Sequence, residues 1–392
     1  MNKKEKNTRR EIKLPRAVYI TICVLPFVST ALFYMLRSNT VIMDRAARNF
    51  SAPVRSSLGL ISSLYPFSLT ENIGVIAGIW LIYYIIKTIV VTARRREKLK
   101  ILSRRLLTVA VVFLYAWSLF CWLWNSGYHA PGFADKHGFT GKNVTTENLI
   151  DVTRMFAAKA NELAPLVKRD ENGEYIENRN EIFTISTNIY NNVFIEFPQL
   201  RGSLYKPKSM VFSWLMSRTG YTGIYFALTG ESLVNTRAPA FLLPATIAHE
   251  LAHQRGVFAE DEANFVGILA CVTSGYTAYE YAGYLMGLMY LQNALFPADF
   301  LAWTNIRDSL SVEVNKDLRD NYNYWQSQKT VKTGIELLDS ILTTVTVTVS
   351  DAVNTAYDSF LKSQDQELGL KSYGACVDLL IEYFCENGIK DY

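Results

Sequence analysis

Three long stretches with almost no charged residues constrain the fold of this chain more than any other feature. Residues 17–36 and 106–124 carry no charge, and residues 73–91 carry only Lys87. At about 1.5 Å per residue in a helix, each stretch is long enough to cross the hydrocarbon core of a bilayer. We therefore predict three transmembrane helices. A cleavable signal peptide is the alternative for the first stretch, but its length and its Leu36 end favour a retained anchor.

Charge is divided unevenly along the chain. Residues 1–124 contain 19 Lys and Arg against 5 Asp and Glu, whereas residues 125–392 contain 21 against 31. The basic residues concentrate in the tail 1–16 and in the loop 94–105 between the second and third stretches. Cytoplasmic segments carry such an excess. We therefore predict a cytoplasmic N-terminus, a membrane domain over 17–124, and an extracytoplasmic domain after it. The basic excess then reflects the lipid bilayer and not a nucleic-acid partner.

The five cysteines do not read as a disulfide framework. Cys23 and Cys121 fall inside apolar stretches, and Cys271 falls in a helical pattern. Cys376 and Cys385 are nine positions apart in one helical pattern, so they face different directions. We predict free thiols, mostly buried.

The segment 243–275 contains the motif His249-Glu250-Leu251-Ala252-His253. In a helix, residues i and i+4 lie one turn apart on one face, so the two imidazoles can hold one zinc ion from the same side. Glu250 points about 100° away and can act on a water beside the metal. Two ligands and one base are what metal-assisted hydrolysis requires.

A third ligand should follow this helix closely. Gly256 is suited to end the helix, because glycine adopts the left-handed conformation at low cost. A second helical pattern begins after it, and we predict Glu262, in its first turn, as the third zinc ligand. Glu260 and Asp261 remain as alternatives. His129 and His137 lie in polar loops and are predicted to be solvated rather than ligands.

These residues carry a resemblance to known families. HExxH followed by a glutamate on a second helix resembles the gluzincin zinc metallopeptidases, and Glu262-Ala263-Asn264 resembles the E-A-[DN] element of gluzincin-type membrane proteases and ImmA/IrrE-like peptidases. The chain is still more similar to a bacterial membrane family of unknown function with N-terminal transmembrane helices and one HExxH domain. That similarity rests on Gly220-Tyr221-Thr222-Gly223, Leu228-Thr229-Gly230-Glu231, Leu243-Pro244, the AHELAHQ and EDEANF runs, Val353-Asn354, Tyr357-Asp358, Leu361-Lys362 and Lys371-Ser372-Tyr373-Gly374.

The gluzincin resemblance implies an edge strand beside the HExxH helix that pairs with an extended substrate. It places Gly223, Tyr225 and Ala227 at that edge, where unpaired backbone groups would bind a peptide. Ordinary core packing is the alternative for this segment. Asn264 is a candidate for holding a ligand in place, with a purely local helical role as its alternative.

The remaining domain is predicted to be rich in α-helix with a small β element. The β signals are a β-leaning run at 182–185 and a hairpin or extended pair over 220–235. Tyr281 and Tyr284 are considered for polarising a substrate carbonyl, but core packing is preferred for both. The helical patterns cover residues 144–168, 276–298, 302–328, 330–362 and 372–386.

Taken together, the sequence predicts three membrane helices followed by a zincin-like, gluzincin-type metallopeptidase domain that uses Zn²⁺ and hydrolyses peptide or protein substrates. Two alternatives remain. One is an extracytoplasmic ligand sensor, against which stands the lack of a cytoplasmic receiving domain. The other is a membrane protein whose fold a metal stabilises without catalysis.

Overall fold

The computed structural model describes residues 15–141, 144–176, 178–202, 205–330, 336–364 and 373–387. The protein is mainly helical, with one small three-stranded sheet. This confirms the prediction of a mainly helical protein with a small β element. The predicted basic tail lies outside the described residues, except for its last two positions.

Three long apolar helices form the N-terminal third. The third of them continues through a π-helical turn, so that one helical stretch runs from Lys98 to Tyr128. All three are long and apolar enough to cross a membrane. In the most apolar 18-residue segment of each helix, only 6–22% is buried within the protein. Their side chains therefore face outward, as lipid-exposed helices require. The helices of this region are α1 (Arg16–Leu36), α2 (Thr40–Ala46), α3 (Ala52–Ser63), α4 (Leu69–Arg94), α5 (Lys98–Phe120) and α6 (Ser126–Tyr128).

The candidate spans pack with a defined direction. The Tyr115 hydroxyl donates to the carbonyl of Ile22 at 3.0 Å, and the Ser118 and Ser29 hydroxyls are 2.7 Å apart. Residue numbers rise in the same direction along both helices, from Ile22 to Ser29 and from Tyr115 to Ser118. Helices α1 and α5 therefore run parallel. Helix α4 runs in the opposite direction, next to α5. The start of α1 and the arginine-rich loop after α4 therefore lie at the same end of the bundle, where the charge pattern requires them.

The segment between the first two spans, 37–72, reaches into the C-terminal domain. The sequence predicts a short external stretch near the membrane surface, and α2 and α3 occupy it. Arg55 of α3 is buried, and its guanidinium donates to the backbone carbonyl of His253 at 3.3 Å. The Ser51 hydroxyl donates to the carbonyl of Leu123 at 2.6 Å. This segment is therefore part of the core around the HExxH helix.

The C-terminal region is built on a helical core. Helices from the middle and the end of the chain pack together, with Phe156, Phe265, Leu285 and Phe384 fully buried among them. Thr145 caps the first long helix of this region, because its side chain accepts a hydrogen bond from the amide of Asn148. The helices are α7 (Phe133–His137), α8 (Thr146–Leu163), α9 (Arg179–Ile185), α10 (Val193–Glu196), α11 (Ser213–Thr219), α12 (Leu243–Gln254), α13 (Glu260–Val272), α14 (Thr277–Ala298), α15 (Phe300–Asp308), α16 (Val312–Gln328), α17 (Glu336–Ser363) and α18 (Tyr373–Glu386).

The sheet contains β1 (Lys208–Ser209), β2 (Gly223–Phe226) and β3 (Glu231–Val234) in the order β1-β3-β2. Strands β2 and β3 form the predicted antiparallel hairpin, with Gly223 opposite Val234. Within the described residues, β2 is an edge of the sheet. It packs against α12, so the hairpin lies beside the HExxH helix.

Two sequence predictions are corrected. The run 182–185 belongs to helix α9, because the Asn178 side chain caps a helix there and Ile182 packs into the core. The helix predicted over 302–328 is two helices, α15 and α16. The break follows from Ser311, whose hydroxyl accepts from the amide of Val314 and starts the second helix.

All five cysteines are free thiols, as predicted. Cys121, Cys271 and Cys376 are buried, whereas Cys23 and Cys385 are half-buried. Burial raises the pKa of Cys385 above its usual range and that of Cys376 well above it, so both remain protonated near neutral pH.

Candidate metal centre

Helix α12 places the two histidines of the motif as the spacing predicts. Pro244 lies in its first turn, where a missing N–H costs nothing. His249 and His253 lie one turn apart, with ring centroids 4.6 Å from each other and ring planes 86° apart. His253 and Glu250 are buried, and His249 is partly exposed.

The third group of this cluster is Glu260. Gly256, at φ +87°, ends α12, and α13 begins at Glu260. Its Oε2 is 3.3 Å from His249 Nε2, and its Oε1 is 3.6 Å from His253 Nε2. Tetrahedral zinc with bonds of about 2.0–2.1 Å separates its ligand atoms by roughly 3.4 Å. The three side chains can therefore hold a metal ion with little movement.

Glu262, the third ligand predicted from the sequence, lies elsewhere. Its carboxylate accepts from the amides of Phe133 and Ala134, both at 2.8 Å, and so holds the start of α7. Two positions along a helix rotate a side chain by about 200°, so Glu260 and Glu262 cannot face the same ring pair. Burial raises the pKa of Glu262 to about 7. The alternative Glu260 takes its place, and Asp261 is outside the cluster.

The tautomer of His253 is suited to metal binding. Its Nδ1 lies 2.7 Å from the carbonyl of Val257, so Nδ1 carries the proton and donates it. The Nε2 lone pair is then directed at the cluster. Metal-bound histidines are usually oriented by such a bond on the other ring nitrogen.

The charges in the cluster also fit a bound cation. Burial alone would lower the pKa of His253, but the Glu260 carboxylate outweighs it and raises the pKa to about 9. Burial acts against ionisation of Glu260, yet the two imidazoles hold its pKa well below the usual range. The protein thus pairs a positive charge with Glu260 at this point, and a metal ion can take the place of that proton.

Glu250 lies beside the cluster, next to strand β2. Burial raises its pKa to about 7, against the opposing effect of the two imidazoles. A Cβ at Gly223 would clash with the Glu250 carboxyl group, so glycine there lets the strand approach. Among the described residues, Oε2 of Glu250 is buried without a hydrogen-bond partner. The motif therefore provides a carboxyl group with one unused oxygen beside the ligands.

Of the three predicted substrate-binding residues, one contacts the site and two pack in the core. Gly223 contacts the site through its backbone, at the edge of the sheet. Tyr225 is buried, with its ring 5.3 Å from that of Trp124, and Ala227 is buried just after β2. The last two side chains therefore pack in the core, as the alternative interpretation expected.

The other residues considered in the sequence lie away from the cluster. Asn264 accepts from the Tyr290 hydroxyl at 3.3 Å. Tyr281 donates to Asp317 at 2.5 Å, and Tyr284 packs in the core. Neither His129 nor His137 joins the cluster, although His129 is buried rather than solvated.

Sequence reasoning missed two residues that contact the cluster. The Tyr357 hydroxyl, on α17, donates to Glu260 Oε1 at 2.6 Å. Arg55 lies over the ring of Phe258, 5.0 Å from its centroid, and bonds the end of α12 at His253. Both are distant in sequence from the motif. Only the resemblance around Tyr357 gave a signal, and it named no role.

Comparison with known proteins gives a family and nothing more specific. No curated protein and no solved structure matches the chain. A family model described as a protein of unknown function, DUF3810, matches residues 47–381. The match includes the second and third candidate spans, the sheet, and the whole cluster of His249, His253 and Glu260. The chain therefore belongs to the DUF3810 family.

Proposed function

We propose that this protein is a membrane-anchored, zinc-dependent metallopeptidase that cleaves a peptide substrate at the membrane surface. The observation that carries the proposal is the arrangement of two imidazoles and one carboxylate with ligand separations near those of tetrahedral zinc. A second acidic side chain, Glu250, adjoins them with an unused oxygen. Purely structural zinc sites are usually closed by four protein ligands, whereas three ligands plus a base are typical of hydrolytic sites.

The chemistry is divided between the metal and the chain. When bound, zinc supplies Lewis acidity that activates a water and polarises the scissile carbonyl. Glu250 accepts the proton of the attacking water and delivers it to the leaving nitrogen. Burial disfavours the charged form of Glu250, which favours its uptake of a proton from the water. Strand β2, which is an edge of the sheet among the described residues, lies beside Glu250 and offers backbone groups for an extended peptide.

The site of action follows from the charge pattern. We infer that the N-terminus is cytoplasmic and that the metal centre lies outside the cytoplasm. Alkaline-phosphatase and green-fluorescent fusions at Gly132 test this. We expect phosphatase activity without fluorescence, and the opposite result would reverse the orientation.

Glu250→Gln is the decisive variant. It should keep stoichiometric zinc, measured by mass spectrometry of metals in the purified protein, and abolish hydrolysis. Glu171→Gln, at an exposed position, is the matched control. Proteomic comparison of envelope fractions from cells with the parent protein and with Glu250→Gln should show uncleaved substrates only in the variant. A Glu250→Gln protein with full zinc and an unchanged envelope proteome would favour the non-catalytic alternative, in which the metal only stabilises the fold.

A further inference from the structure

Helix α17 exposes an apolar face and turns a polar face towards the protein, which is the opposite of a helix on a water-exposed surface. Leu337, Ile341, Val345 and Val349 follow one another every four residues along one face, with exposed fractions of 73, 51, 52 and 47%. No charged residue occurs from 340 to 350. An amphipathic helix on a soluble domain turns such a stripe towards the core.

The opposite face of α17 is polar and faces the protein. Thr346, Ser350 and Asn354 are all partly buried there, and Tyr357 donates to Glu260 from the same face. Helices with polar groups inward and apolar groups outward are typical of a lipid environment. The polarity of α17 therefore indicates that its outer face is in contact with lipid.

The position of α17 supports this inference. Near its C-terminal end, the Phe360 ring lies 5.7 Å from that of Phe120, where the third candidate span ends. Leu361 is buried in the same cluster as Leu123 and Trp124. The C-terminal end of α17 therefore lies at the level where α5 ends.

Helix α11 extends the same apolar surface. It packs against α17, and Val211, Trp214 and Leu215 in and just before it are 77, 49 and 45% exposed. Glu71, in the first turn of α4, accepts from the amides of Val211 and Phe212 at 3.1 and 2.8 Å. This fixes α11 at the start of the second span, which is the same end of the bundle as Phe120. Tryptophan is common at such membrane interfaces.

We propose that α17 and α11 lie in the membrane interface at this end of the bundle, with their apolar faces in the lipid. The continuity of this surface with the lipid-facing spans favours lipid over a protein partner or a second copy of the chain. The metal centre then lies directly behind a helix seated in the bilayer. If the proposed peptidase function holds, its substrate is a membrane-borne segment or a lipid-linked peptide. The lipid contact itself does not depend on that function.

The test places a fluorescent probe on each face of α17 in the full-length protein in nanodiscs. Val345→Cys reports on the apolar face, and Ser340→Cys, at an exposed position about 140° around the same helix, is the matched control. Both are made with Cys23→Ser and Cys385→Ser, and this parent without a new cysteine measures background labelling. An NBD probe is quenched by doxyl-labelled lipid from the bilayer and by iodide from water.

The probe at Val345→Cys should show blue-shifted emission, strong quenching by doxyl lipid and little by iodide, with the reverse at Ser340→Cys. Strong iodide quenching at both positions would overturn the proposal, because α17 would lie in water. Protection of the Val345→Cys probe from both quenchers would overturn it too, since a protein would then cover this face. The readout involves neither metal nor hydrolysis, so its failure is distinct from failure of the proposed function.

Discussion

Helices α13 and α17 meet at one hydrogen bond, between Glu260 and Tyr357, yet they place their apolar residues in opposite directions. In α13 every residue from Glu262 to Val272 is buried within the protein. In α17 the apolar stripe is outside, and polar side chains face the protein. An apolar sequence pattern thus predicts that a helix face avoids water. It does not predict whether that face is covered by protein or by lipid.

The largest expected effect separates the two glutamates at the start of α13. Glu260→Gln removes the carboxylate beside both rings. Loss of a residue that only supports a metal ligand lowers metal affinity by up to about 100-fold, so loss of the ligand itself should lower it by more. Glu262→Gln should keep the metal, because its carboxylate holds α7 instead. Chelator competition with the purified proteins measures both. Metal loss in Glu262→Gln alone would restore the assignment made from the sequence.

The second prediction tests burial in the two helices with the same substitution. Ile268→Ala in α13 creates a cavity at a fully buried site and should lower the free energy of unfolding by about 2–5 kcal/mol. Ile341→Ala in α17 should change it by less than about 0.5 kcal/mol, because lipid adjusts to the smaller side chain. Denaturant unfolding in nanodiscs measures the pair. Equal losses would place Ile341 in a packed protein interface.

A third prediction concerns the attachment of the sheet to the second span. Glu231 accepts from the amides of Leu69 and Thr70 and from Lys208 Nζ at 3.0, 2.8 and 2.7 Å. Burial opposes its ionisation, but Lys208 and Thr70 lower its pKa below the ordinary value. A lowered pKa contributes stability above the ordinary pKa, and that stability is lost as pH falls through the folded-state value. Glu231→Gln should therefore cost about 2 kcal/mol at pH 7 and progressively less in acid. Thermal unfolding across this pH range measures the difference, which a pH-independent loss would contradict.

The smallest effect is expected at the bond that joins the two helices. Tyr357→Phe removes the hydroxyl that donates to Glu260 at 2.6 Å, and metal affinity should fall roughly tenfold. Tyr322→Phe, at a 64% exposed tyrosine, is the control and should have no effect. Unchanged affinity in Tyr357→Phe would mean that α17 only covers the site.

The sequence predicted those parts of the site that depend on local periodicity. The spacing of His249 and His253 alone places both rings on one face, and the apolar stretches alone locate the spans. The choice between Glu260 and Glu262 depends on where α13 begins after Gly256 and at what angle, which long-range packing decides. Gly267 illustrates this packing. A Cβ there would lie 2.9 Å from the His249 amide nitrogen, so its absence lets α13 approach α12. Arg55 lies 198 positions from His253, and Tyr357 lies 97 positions from Glu260. No local sequence pattern encodes contacts between residues so far apart.

The burial of Arg55 has a consequence for how the protein matures. Its guanidinium reaches the carbonyl of His253, 198 positions later, through a cage of Trp124, Tyr225 and Phe258. During synthesis Arg55 is made 198 positions before His253, so its guanidinium has no carbonyl partner there until the later residues have been made. A fragment that begins after the third span would lack both Arg55 and Trp124, so the His253 carbonyl and the rings of Tyr225 and Phe258 would lose this cation.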